Sequence, residues 1–133
     1  MASALYDKGR EGIADRTIDL TGDVRAMLVK TAYVLDIATH DFLADIGAND
    51  NGRTAALGTK TYTGGVFDAA DTTLSALAAD PSEALVIFQH TGSDATARLI
   101  AYIDTATGLP FTPAIGQVIP ITWDGGANKI FKL

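Results

Sequence analysis

The 133-residue sequence predicts a mainly β domain, an antiparallel β-sandwich or jelly-roll-like fold with one or two short helices. Three observations lead there. The length suits one hydrophobic core, so residues 1–133 are read as a single domain. The inventory leans toward strands and turns: 16 Thr, 14 Asp and 13 Gly stand beside 22 Ala, whereas Glu, a common solvent-face residue of helices, occurs only as Glu11 and Glu83. Short apolar segments recur between turn signals at 24–31, 59–67, 72–77, 84–89, 98–103, 117–123 and 129–133, the spacing of a sandwich or barrel.

Taken in order, residues 1–14 form an N-terminal arm or a short helix. Over 3–14 an amphipathic helix would align Leu5, Gly9 and Ile13, although Gly9 and Gly12 each cost about 1 kcal/mol relative to alanine. A first strand follows at 24–31. A one-to-two-turn helix is expected over 39–47, with Thr39 as cap, Asp41 in the first turn, Phe42 and Ile46 four apart, and Gly47 at the stop. Residues 48–53 read as a turn or exposed loop, Asn51-Gly52 being its sharpest signal.

The run Ala84-Leu85-Val86-Ile87-Phe88 has no polar break, so as a strand it needs cover on both faces, from a second sheet and an oligomer partner. It is placed centrally. The polar stretch 90–96 connects it to 98–103 as an antiparallel hairpin. A second hairpin is expected where 119–123 and 128–133 flank Asp124-Gly125-Gly126-Ala127, with Pro120 marking an edge strand or a bulge. Leu85, Ile87, Leu99, Tyr102, Ile121 and Trp123 are the expected core residues.

Reactive side chains are few. The absence of cysteine excludes disulfides, thiolate catalysis and Cys-built metal sites. His40 and His90 lie outside any H-E-x-x-H pattern and read as surface or capping residues, and the four serines lie outside any G-x-S-x-G elbow. A Ser93–His90 dyad is weighed against plain loop polarity, which explains both residues. Asp68 and Asp71 bracket a small turn and are expected to cap backbone; the oxygen-rich segment 45–52 lacks EF-hand spacing for calcium. The glycines at 64, 65, 125 and 126 match no phosphate-binding pattern. No catalytic residue, cofactor or metal ligand is assigned, and the protein is expected not to be an enzyme.

Sixteen acids against ten bases give a net charge of −6, which repels a phosphate backbone, so nucleic acid is not an expected partner. Apolar runs are too short to span a membrane, and the N-terminus lacks the layout of a secretory signal. Cations gather near the ends, as Lys8 with Arg10 and Lys129 with Lys132, suited to acidic patches on a protein partner. Tyr33, Tyr62, Tyr102 and Trp123 offer stacking faces, so a carbohydrate-binding module is a competing class.

Four stretches, ALYDKGREG at 4–12, ATHDFL at 38–43, RLIAYIDTATGLP at 98–110 and WDGGANKIFKL at 123–133, together resemble a group of small structural proteins from the virion gene clusters of tailed bacteriophages. The resemblance implies a virion component, foremost a capsid cement or decoration protein that clamps neighbouring major capsid protein subunits; a tail, baseplate or fibre component is the alternative. It implies a small β-rich protein on the outer capsid surface, made in the host cytoplasm and forming a homo-oligomer, a dimer or trimer. The expected partner interface comprises Tyr6, Lys8 and Arg10 in the N-terminal arm and Lys129, Phe131, Lys132 and Leu133 in the last strand, because a terminal edge strand can pair with another chain. The competing reading has Phe131 and Leu133 completing the chain's own core.

Overall fold

A computed structural model describes residues 4–75, 77–127 and 129–133. Ser3, Ala76 and Asn128, each part of a segment expected to be helix or strand, lie outside the described residues. The chain runs β1 (Ala4–Leu5), α1 (Asp7–Ala14), β2 (Val24–Lys30), two 3-10 turns (Leu43–Asp45 and Gly47–Asn49), β3 (Asp50–Arg53), a 3-10 turn (Thr63–Gly65), β4 (Val66–Phe67), β5 (Thr72–Leu74), β6 (Ser82–Gln89), β7 (Leu99–Ile103), β8 (Ile119–Ile121) and β9 (Phe131–Lys132). It is mainly strands in antiparallel sheets with one α-helix, and the sheets do not close on one another.

The frame is a five-stranded antiparallel sheet in the order β1-β7-β6-β2-β3. β6 lies at its centre and pairs with β7 as the sequence leads one to expect, Leu85 facing Ile103 and Ile87 facing Ala101. Alternation along β6 divides its side chains between two apolar layers. Ala84, Val86 and Phe88 meet Tyr6, Tyr33, Leu43 and Ile46 on one face. On the other, Ile87 meets Leu57, Phe67, Ile130 and Phe131, while Leu85 meets Leu74, Leu77 and Ile121. The cover expected from an oligomer partner thus comes from the chain itself. Leu85, Ile87, Leu99, Tyr102 and Ile121 are buried as expected; Trp123 is half-buried and lies beyond the end of β8.

The N-terminal segment is built into this frame. Between the pairs Ile87–Ala101 and Phe88–Leu99, Ile100 has no partner on β6 and forms a bulge. Its carbonyl accepts the Tyr6 N–H at 3.0 Å, continuing the β1–β7 ladder into the start of α1. Gly9 then rides over the same spot: a Cβ there would lie 2.7 Å from the Leu99 carbonyl oxygen and 2.9 Å from that of Ile100. The glycines that weaken this helix as an isolated peptide are what let it touch β7.

Several local expectations are corrected. The helix of 39–47 is reduced to 3-10 turns, capped by Asp45 rather than Thr39: the Asp45 carboxylate reaches back to accept the N–H groups of Asp41 (2.8 Å) and Phe42 (3.0 Å). Gly47, at φ +60°, does end the first turn. Asn51-Gly52 is not an exposed turn but the middle of β3, where Asn51 is buried. Of 59–67 only Val66–Phe67 is strand, since Gly64 and Gly65 take positive φ values of 65° and 77° inside a 3-10 turn. The C-terminal hairpin is absent: β8 pairs with β5 and β9 with β4. Pro120, opposite Thr73, leaves β8 with a blunted edge as expected, having no N–H to offer a further strand.

Two substitutions test this packing. Ile87→Ala, at a fully buried site, should lower unfolding free energy by roughly 2–5 kcal/mol. Gly9→Val should cost about 1–3 kcal/mol, since its new atoms meet backbone oxygens that cannot rotate away. Urea unfolding monitored by circular dichroism measures both, and an unchanged midpoint for Gly9→Val would show that α1 does not lie on β7.

Candidate interaction surface

The side chains with most chemical potential are engaged in holding loops together. Arg98 is the principal knot: its Nε donates to Asp41 Oδ1 at 2.6 Å, its guanidinium also donates to Thr17 Oγ1 at 2.8 Å and the Lys8 carbonyl at 3.0 Å, and it lies over the Phe42 ring. One residue therefore fastens α1, the segment before the first 3-10 turn and β7 to one another. Residues of the stretches 4–12, 38–43 and 98–110 meet here. Arg53 does the same on the opposite edge, binding Asp50 at 2.7 Å and both oxygens of Asp94 at 3.0 and 2.9 Å, over the Phe88 ring. Asn51 forms a third node: its amide nitrogen donates to the Ala78 and Asp80 carbonyls and to Ser82 Oγ, and its oxygen accepts the Ala78 N–H. A lone arginine and an Asn-Gly pair carry no sequence signal for such roles.

The candidates for chemistry are dispersed. His40 Nδ1 lies 2.6 Å from the Tyr33 hydroxyl, whose other neighbour is the Tyr6 hydroxyl at 3.1 Å. Burial pushes the Tyr6 hydroxyl far above the ordinary tyrosine range, so it keeps its proton. Among the described residues no hydrogen bond joins Ser93 Oγ to His90; the Ser93 carbonyl instead accepts from Thr91 and Thr96. Asp71 does not make the local cap expected: its carboxylate accepts the N–H of Trp123 at 3.0 Å, a bond between distant parts of the chain. In the segment weighed for calcium, Asp45 caps backbone, Asp50 binds Arg53 and Asn51 is buried. Among the described residues no three His, Asp or Glu side chains come together as metal ligands, and no helix is long and apolar enough to cross a membrane. Tyr33 and Tyr102 are buried and offer no stacking face; burial, aided by Glu83 and Asp104, pushes the Tyr102 hydroxyl up to about 12.

The expected interface residues divide. Tyr6, 0% exposed, and Phe131, 5% exposed and stacked on Phe67 with centroids 4.9 Å apart, belong to the chain's own core. Burial thus corrects the assignment of these two as partner contacts. Lys8 and Arg10 remain at the surface on α1, paired with Glu11 at 2.9 Å and Asp7 at 3.7 Å. Lys129 is half-buried and donates to the Gly125 carbonyl, Lys132 is exposed, and Leu133 is 57% exposed.

A further surface is largely apolar, with Thr105, Thr107, Gln117, Asp124 and Lys129 also lining it. A cleft of about 780 Å³ opens between the sheet and the β5–β8 ladder, floored by Leu28, Leu85 and Ile103 and walled by Leu74, Phe111, Ile119, Ile121 and Trp123. Its walls are pinned. Phe111 and Ser82 exchange two backbone hydrogen bonds, 2.8 and 2.9 Å long, and the Trp123 indole N–H donates to the Ala70 carbonyl at 3.1 Å. Val118, 60% exposed, lines the cleft, and Ile115, 86% exposed, stands three residues before it on a tight turn. That turn is held by the Gly116 N–H donating to Leu77 and by the Gln117 side chain accepting the Ala114 N–H at 2.8 Å. Isolated surface aliphatics are ordinary, but two on one fixed turn beside an apolar cleft suit contact with another macromolecule. The sequence signal was present in Ile115 and Val118, obscured by the surrounding Pro, Gly and Thr of 110–118.

The capping carboxylates set an acid limit. Hydrogen bonds from the Phe42 and Asp41 N–H groups hold Asp45 below its ordinary value of 3.8, and the Arg53 side chain does the same for Asp94. Because these folded values lie below the unfolded ones, their stabilisation is complete above about pH 4 and is lost as pH falls through the folded values. Asp45→Ala should cost about 0.5–2 kcal/mol at neutral pH, nearer the lower figure for so exposed a cap, and lessen the further loss below pH 4. Urea titrations across pH check this; an Asp45→Ala protein as stable as wild type at neutral pH would show that the cap does not operate. Comparison with protein families, curated proteins and solved structures finds no match to this chain.

Proposed function

We propose that this protein is a non-enzymatic virion structural protein of a tailed bacteriophage, a capsid cement or decoration protein that binds the shell of major capsid protein and stabilises it. What supports this reading is the resemblance of the stretches 4–12, 38–43, 98–110 and 123–133 to such proteins, three of which meet at Arg98 in the fold. Those residues build scaffold rather than a reaction centre, as a protein whose role is mechanical requires. The pinned apolar cleft supports the same reading, since a cement protein needs a firm surface that exchanges water for contact with its partner.

In this reading the module docks as a rigid body, outside the shell after synthesis in the host cytoplasm, and copies of the chain associate as dimers or trimers. Ile115, Val118 and the cleft meet the capsid protein, while the surface cations Lys8, Arg10 and Lys132 govern approach more than affinity. The acidic remainder keeps the free protein soluble until it assembles.

Purified protein incubated with undecorated heads of the phage that encodes it should co-sediment at a saturating, fixed ratio. Ile115→Asp with Val118→Asp should leave the circular dichroism spectrum unchanged and weaken binding by about tenfold or more, each buried charge being costly. Absence of co-sedimentation by the wild type would overturn the capsid reading. Full binding by the double variant would instead remove the cleft from it.

A further inference from the structure

We propose that Tyr6, Tyr33 and His40 form a directional hydrogen-bond relay that is complete only while His40 is neutral, so that protonating His40 loosens the N-terminal segment from the layer over the sheet. The Tyr33 hydroxyl sits 2.6 Å from His40 Nδ1 and 3.1 Å from the Tyr6 hydroxyl. The Asp36 N–H is aimed at the same Nδ1, at 3.4 Å. The Asp36 N–H can only donate, so Nδ1 is an acceptor, the proton of a neutral imidazole resides on Nε2, and the Tyr33 hydroxyl is left to donate to Nδ1. The relay follows: Tyr6 O–H donates to Tyr33, and Tyr33 O–H donates to His40.

Adding a proton at Nδ1 turns that nitrogen into a donor. Tyr33 must then accept from His40 and donate to Tyr6, and the Tyr6 proton is left pointing into the core. Tyr6 is fully buried, and Tyr33 is the partner its hydroxyl has among the described residues, so no solvent is at hand to take the bond. Tyr6 is also the residue from which α1 departs, and its N–H holds the bulge at Ile100. A strain at its hydroxyl is therefore delivered to the joint between β1, α1 and β7.

The groups around the relay act in both directions. From the segment of His40 itself come the carboxylates of Asp36 and Asp45, which favour a charged imidazole. Both are exposed and already accept backbone N–H groups, Asp36 from Ala38 and Thr39 and Asp45 from Asp41 and Phe42. From β7 comes the Tyr102 ring against Tyr33, with Glu83 of β6 beside its hydroxyl. The two aspartates attract through solvent and are screened, whereas the orphaned O–H lies in the dry interior, so the relay prevails.

Thermal unfolding at about pH 8 and about pH 5.5 tests this, because histidine titrates in that window and the hydrogen-bonded carboxylates do so below it. Wild type should lose stability on acidification, read as a lower unfolding temperature at about pH 5.5 than at about pH 8. His90→Gln should lose as much. His40→Asn, whose Oδ1 keeps an acceptor at the place of Nδ1 but takes no proton, should show little change, and Tyr33→Phe should be weaker than wild type at about pH 8 without the further acid loss. A flat wild-type response, or an undiminished acid loss in His40→Asn, would overturn the proposal.

Discussion

An eight-residue strand with both faces apolar, Ser82–Gln89, is the constraint from which the rest of the molecule follows. Water cannot be left on either side of Val86 and Ile87, so the chain must supply a layer above and a layer below. It does so from different stretches. The segment carrying Tyr33, Leu43 and Ile46 covers one face, and Leu57, Phe67, Ile130 and Phe131 cover the other beside the β5–β8 ladder. Those covering pieces are short and irregular, and a loop of this kind stays in place only if its polar backbone is tied down. Arg98, Arg53, Asn51 and the capping aspartates supply those ties.

The same economy explains why the termini are structural. β1 completes a ladder that β7 would otherwise expose, α1 sits on the bulge at Ile100, and Phe131 stacks against Phe67 to close the lower layer. A protein of this size has little core to spare, and burying Leu5, Tyr6, Ile130 and Phe131 recruits apolar surface that a pair of free arms would leave in water. Outside lies the cleft between the sheet and the β5–β8 ladder, its walls held by hydrogen bonds. In the proposed role this is favourable, since a partner that arrives pre-organised loses little conformational entropy on docking.

Parts of this were legible in the residues. The runs around Ile87 and Ile100 declare themselves by their unbroken apolarity, and a polar connection between them leaves antiparallel pairing as the natural outcome. Pro120 announces an edge by the donor it lacks. The C-terminal pairing was not legible, because Gly125-Gly126 permits a tight turn, while the actual partners of Ile121 and Phe131 are Thr72 and Phe67, far away in sequence. Asn51-Gly52 carries the strongest local turn signal in the chain, and tertiary contact overrides it through the Ala78 and Ser82 bonds. The surface was the least legible part: a residue such as Ile115 differs from a core isoleucine only in what the rest of the chain does around it.

The central claim is that the ends and the middle form one cooperative body. Native-state amide hydrogen exchange measures this directly. If α1 is locked onto the bulge of β7 by Tyr6, Gly9 and Arg98, the hydrogen-bonded amides of Arg10 and Asp15 exchange with the same opening free energy as those of Val86 and Ile87 in β6. Exchange of the α1 amides at near-unprotected rates while β6 stays closed would contradict the account, and would describe a free arm beside a smaller folded core.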